Sequence, residues 1–135
     1  MRKMFAVAPM VLLAQCAPQC VDPTSSDGPQ HAQYLAAQQV VEGDCQSYVP
    51  LFEAFDLPAQ TFARIAWRES GCQHSSFVID RDDAGGGLLG INLKGSLARG
   101  WNQWCDVTLG TVTDALTNVR CAAAAYQRMG MAPWR

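Results

Sequence analysis

Residues 56–71, "DLPAQTFARIAWRESG", decide how this chain is read. Pro58 suits a first helical turn, Asp56 stands where a side chain caps free amides, and Gly71 follows where a left-handed C-cap favours glycine. Between them Phe62, Ile65, Ala66 and Glu69 recur at i, i+3, i+4 and i+7. At about 100° per residue, position 69 lies almost directly above position 62. The pattern predicts an amphipathic helix whose apolar face ends in a carboxylate, with Arg64 and Arg68 on the wetter side.

That carboxylate poses a choice. Burial disfavours the charged form of any carboxyl group, and an acid held neutral is the proton donor that glycosidic cleavage requires. The bland alternative is a glutamate at a helix end that turns outward, or pairs with Arg64 or Arg68. Periodicity alone leaves both open.

Working outward, 135 residues bound the chain to one domain, and 49% hydrophobic with 16% charged residues is globular composition, not disorder. A formal net charge of −2 lacks a basic footprint and argues against nucleic acid as a partner. None of the six cysteines forms a C-x-x-C pair, so structural disulfides in an exported protein fit better than a zinc ribbon or a redox site. The N-terminus agrees. Met1-Arg2-Lys3 is a short positive region, and "MFAVAPMVLLA" (4–14) is apolar but far shorter than the roughly 20 residues that span a bilayer. Residues 1–16 therefore read as a signal peptide. "Leu13-Ala14-Gln15-Cys16" resembles a lipobox apart from Gln15, so a lipoprotein anchored through Cys16 and a plainly cleaved, secreted protein both stay open.

Residues 17–30, rich in Pro, Ser, Asp and Gly, read as a flexible linker, and the domain is expected over 31–135. Residues 31–43 look helical with Gly43 as the stop, and a short helix is expected over Tyr48–Phe55. From Cys72 to Trp104 helical periodicity fails, and the glycine-dense "DRDDAGGGLLGIN" predicts a loop or small β-hairpin lobe beside the end of the third helix. "TDALTNVRCAAAAYQRMG" gives the last helix, capped by Thr113 or Asp114 and closed by Gly130, with alanines 122–125 allowing close helix packing. The fold class is thus mostly α (α+β), a helical bundle with a small lobe flanking a cleft.

Three motifs in order, Glu69-Ser70, then Gly87-Leu88-Leu89-Gly90-Ile91-Asn92, then Asn118 with Tyr126, resemble the lysozyme-like superfamily. The nearest likeness is to soluble lytic transglycosylase-type and phage muralytic domains, over roughly residues 45–134. The resemblance implies a peptidoglycan-cleaving glycosidase, with glycan strands of the cell wall as partner and no cofactor or metal. Glu69 would act as acid and then base at the link between N-acetylmuramic acid and N-acetylglucosamine. Ser70, Gly87, Leu88, Asn92 and Tyr126 would contact substrate. It also places the protein outside the cytoplasm: periplasmic, held at the cell envelope or secreted. Gly90 stands where the family has glutamine, and Gly85–Gly86 replace a serine that commonly precedes the Gly-Leu pair. Gly85 also stands where some lysozymes carry a second acid, which leaves Asp82 and Asp83 as candidates for that role. The rival reading is a non-catalytic glycan-binding or structural protein that keeps the fold.

Other constellations are weaker. Ser70 and His74 are separated by the helix-ending Gly71, and the acidic run from Asp80 lacks the chelating glutamate of a calcium loop. Cys45, Cys72, Cys105 and Cys121 allow three pairings, between which the sequence does not choose. Trp67, Trp101, Trp104 and Trp134 are divided between core and sugar stacking without a way to assign them.

Overall fold

The computed structural model describes residues 28–135. The signal peptide, Cys16 and nearly all of the linker lie outside the described residues. The chain forms α1 (Pro29–Ala37), α2 (Val49–Ala54), α3 (Ala59–Ser70), β1 (Phe77–Ile79), β2 (Ala84–Gly86), β3 (Ile91–Asn92), α4 (Gly95–Trp104) and α5 (Ala115–Met129). Single 3₁₀ turns precede α2 and end the chain, at Cys45–Tyr48 and Ala132–Trp134. The architecture is a mixed α+β one, helices around a small antiparallel sheet of order β1-β2-β3.

Local chemistry explains most boundaries. Pro29 and Pro50 each occupy the first turn of a helix, where their missing N–H costs nothing. The first helix therefore opens inside the expected linker rather than at His31, and it stops at Ala37 instead of continuing to Gly43. Asp56 does not cap α3: it sits at φ +56°, and Pro58 takes the N-cap position without a side-chain bond. Gly71, at φ +63°, ends α3 in the left-handed conformation expected of it. Asp114 caps α5 by accepting from the Thr117 amide.

The region Cys72–Trp104 departs furthest from the sequence reading. It holds a three-stranded sheet in place of the expected loop or hairpin, and it ends in a helix, α4, that the sequence reading lacks. Gly95 and Gly100 mask that helix, since glycine is a poor helix former. Leu97, Trp101 and Trp104 nevertheless recur at i, i+4 and i+7.

The core gathers where α2, α3 and α5 meet. Phe62 is its centre, with ring centroids 5.9 Å from Phe52, 5.5 Å from Tyr126 and 5.1 Å from Trp134. Tyr48, Leu51, Ile65, Leu88, Ile91 and Val119 are buried in the same core. Truncating Phe62 to alanine would cost about 3–5 kcal/mol by opening a cavity at this junction. Disulfide Cys45–Cys72 ties the turn before α2 to the end of α3, and Cys105–Cys121 ties the end of α4 to the middle of α5. Each contributes roughly 2–4 kcal/mol, a large share for so small a core. They fit an oxidising compartment outside the cytoplasm. Among the described residues, no helix is long and apolar enough to cross a membrane.

Candidate functional site

The last turn of α3 runs past the core to a groove of about 240 Å³ lined by Glu69, Ser76, Val78, Asp83, Gly85, Gly86, Gly90, Ile91 and Asn92. Its floor is backbone. A Cβ on Gly86 would stand 2.5 Å from the Ser76 carbonyl oxygen, and one on Gly85 would collide with that of Ile91. Glycine at both positions therefore lets three strands approach and leaves peptide groups facing the groove.

Glu69 sits at one side of this floor. Its side chain is 29% exposed, so it is not kept from water as its place above Phe62 predicted. Its Oε1 accepts from Arg68, at 2.7 Å from Nη2 and 3.0 Å from Nε. The outward, arginine-paired alternative is thus realised. Oε2 faces Gly90: a Cβ on that residue would lie 2.8 Å from it. The space a side chain at position 90 would fill belongs to the Glu69 carboxylate. Arg68 also donates to the Trp134 carbonyl at 2.5 Å, so the cation that holds Glu69 is itself fixed by the chain's end.

Around the groove a hydrogen-bonded frame joins three distant segments. Ser70 Oγ donates to carbonyls of Ala66 and Leu88, at 3.0 and 2.9 Å, and serves as acceptor for the Gln73 amide. Asn118 is fully buried on α5. Its Nδ2 donates to Gly86 and Val112 carbonyls, at 3.1 and 2.7 Å, while Oδ1 accepts from the Leu89 amide at 2.9 Å. The Trp134 indole N–H donates to the Leu89 carbonyl at 3.1 Å. Gly87, at φ +70°, has no room for a side chain because Asn118 and the Val112 carbonyl fill it.

The expected site residues accordingly divide. Glu69, Asn92 and Asp83 come together on the groove, Asn92 Nδ2 bonding Asp83 Oδ1 while Asn92 Oδ1 accepts from the Ala84 and Lys94 amides. Ser70, Gly87 and Leu88 lie behind it, as frame rather than lining, and Leu88 is fully buried. Tyr126 is not on the lining either; it packs edge-on against Phe62. Asp82 lies outside the lining as well, in the turn where its amide and that of Asp83 donate to Asp80 Oδ1. Those two bonds, with Lys94 nearby, hold the Asp80 carboxyl below its ordinary range. Of the tryptophans, Trp101 and Trp134 are core, and Trp67 is 66% exposed. Sequence reasoning offers Arg68 as a partner of Glu69 but leaves Ile91, Ser76 and Val78 out of the groove they line. Serine-rich residues before a β-branched run were the only signal for the last two.

A larger cavity of about 360 Å³ lies elsewhere, among Tyr34, Gln38, His74, Thr113, Asp114 and Leu116. Its acid and its imidazole are already engaged. Asp114 caps α5, and His74 Nδ1 bonds the Tyr48 hydroxyl at 2.7 Å with Glu42 Oε1 at 3.7 Å. Burial, and then the Glu42 charge, push the Tyr48 hydroxyl up to about 12. Hydrogen bonds from Ser75 hold the Glu42 carboxyl below its usual range. Ser70 and His74 make no mutual contact; each has other partners. No cluster of three potential metal ligands occurs among the described residues.

No family model, curated protein or solved structure matches this chain.

Proposed function

We propose that the protein is an exported peptidoglycan-cleaving glycosidase of lysozyme-like fold, a lytic transglycosylase or muramidase, with Glu69 as its acid and base. One observation carries the reading. The three sequence motifs that resemble the family meet in one hydrogen-bonded frame around a groove: Ser70 bonds Leu88, 18 positions on, and Asn118 bonds Leu89, 29 positions back. Glu69 projects from that frame with Oε1 oriented by Arg68 and Oε2 turned to the glycine floor.

The chemistry follows from that geometry. A polysaccharide strand lying on backbone peptide groups meets donors and acceptors for its hydroxyl and acetamido groups. Protonated Glu69 gives its proton to the bridging oxygen as the bond from the anomeric carbon breaks. The resulting carboxylate then takes a proton from whichever nucleophile attacks that carbon. If the nucleophile is the muramyl 6-hydroxyl, a 1,6-anhydro sugar forms; if it is water, a reducing end forms. Asp83, on the same groove, is the carboxylate available to steady positive charge at the anomeric carbon.

The Arg68–Glu69 pair favours a second reading, a glycan-binding domain without catalysis, because an ion-paired carboxylate is an acceptor until the pair opens. Incubating the purified protein with peptidoglycan sacculi decides between them. The glycosidase reading expects soluble muropeptides, and mass spectrometry of their ends assigns transglycosylase or hydrolase. Binding without any release would leave only the second reading.

A further inference from the structure

Strand β1 is anomalous. Phe77, Val78 and Ile79 are three consecutive apolar residues, and all are exposed, at 42%, 48% and 64%. They pair across to Gly86, Gly85 and Ala84, so the neighbouring strand offers almost no side chains to cover them. β1 is also one of the sheet's two edges. Its inward bonds are marked at both ends, Gly87 N–H to the Ser76 carbonyl and Asp80 N–H to the Asp83 carbonyl. In an antiparallel ladder bonded pairs alternate, so the N–H and C=O groups of Phe77 and Ile79 point outward. Among the described residues nothing bonds them. Natural proteins ordinarily blunt such an edge with charge, proline or cover. This one is left open beside the groove, of which Val78 is a wall.

We propose that the outer edge of β1 binds the peptide branches of the glycan polymer, each branch adding as a short fourth strand while its sugar lies in the groove. The proposal rests on the glycan reading of that groove. Two outward peptide units, about 6.7 Å apart along the strand, each offer an N–H and a C=O to the amide groups of an extended branch. Phe77 and Ile79 offer apolar contact to small side chains on the same peptide. Beyond Ile79, Asp80, Asp82 and Asp83 outnumber Arg81 and Lys94, which favours a branch carrying a free amine. A second copy of this chain does not suit the site. A three-residue edge offers far less than the roughly 1,200–2,000 Å² of a stable protein interface.

The test compares intact peptidoglycan strands with strands stripped of peptide by an amidase, using co-sedimentation for binding and product release for cleavage. Wild type should bind the peptide-bearing strands about tenfold more tightly, the worth of one or two net hydrogen bonds with apolar contact. Ile79→Pro removes an outward donor and costs the sheet no inward bond, a substitution edge strands tolerate. It should bring the binding ratio close to one. Ile79→Thr, a good strand former, should lower the ratio in part and serves if the proline variant misfolds. Equal binding of both polymers by wild type, or a ratio untouched by both variants, overturns the proposal. A protein that prefers peptide-bearing strands yet cleaves neither polymer sinks the glycosidase reading and leaves the edge assignment standing.

Discussion

Asn118 and Glu69 approach the same glycine-rich loop from different helices, and their surroundings are opposite. Asn118 is fully buried and has three bonds, to Gly86, Leu89 and Val112. Glu69 is partly open to water, with one oxygen held by Arg68 and the other turned to Gly90. A buried polar group with every partner satisfied stiffens what it touches. A carboxylate on a groove, with one oxygen on a cation and the other turned to the glycine floor, is placed to meet a ligand. The first builds the site and the second is free to act in it.

The contrast is broken most severely at Asn118. Asn118→Leu should destabilise the fold by about 3 kcal/mol or more, because it strands two carbonyls and an amide in the interior. Denaturant unfolding would register it as a lower midpoint with an unchanged slope. If the midpoint stays put, the frame is not what holds the loop. Gly90→Ala comes next. A side chain there meets both a left-handed backbone and the Glu69 carboxylate, so roughly 1–2 kcal/mol of stability should be lost along with most activity. A fully active Gly90→Ala protein would mean that the position of Oε2 is irrelevant.

Arg68→Met sharpens the comparison more gently. An exposed ion pair and one hydrogen bond, to the Trp134 carbonyl, are lost together, so stability should fall by about 1 kcal/mol. Product release should fall severalfold, since the acid loses the group that orients it. Tyr48 supplies the smallest effect, away from the groove. Its hydroxyl is raised in the folded protein, so folding favours the neutral form. That contribution is complete below the ordinary tyrosine range near 10 and is lost as pH rises through about 12. Absorbance titration of the folded protein should therefore show a late phase near pH 12 that Tyr48→Phe removes.

How much of this is legible in the sequence varies by residue and for physical reasons. Caps and stops are local chemistry, so Gly71, Asp114 and Gly130 mark the ends of α3 and α5 correctly. Asp56 misleads because Pro58 takes the cap position after a left-handed turn at Asp56. α4 is hidden because two glycines outweigh the spacing of Leu97, Trp101 and Trp104. Glu69 shows the deepest limit. Periodicity gives a residue's angle around a helix but not its depth along the core. Phe62 and Glu69 share an angle, yet one is fully buried and the other lies a turn beyond the core, within reach of Arg68. Tertiary placement likewise chooses the disulfide pairs and removes Tyr126, Gly87 and Leu88 from the groove.

The most direct test is Glu69→Gln, measured for muropeptide release and for peptidoglycan binding in parallel. The exchange is nearly isosteric and at a partly exposed position, so the folded protein and its affinity for the polymer should be retained. Release should fall to background, because an amide has no proton to deliver. Release at the wild-type rate by the Glu69→Gln protein would contradict the assignment of the acid and, with it, the mechanism.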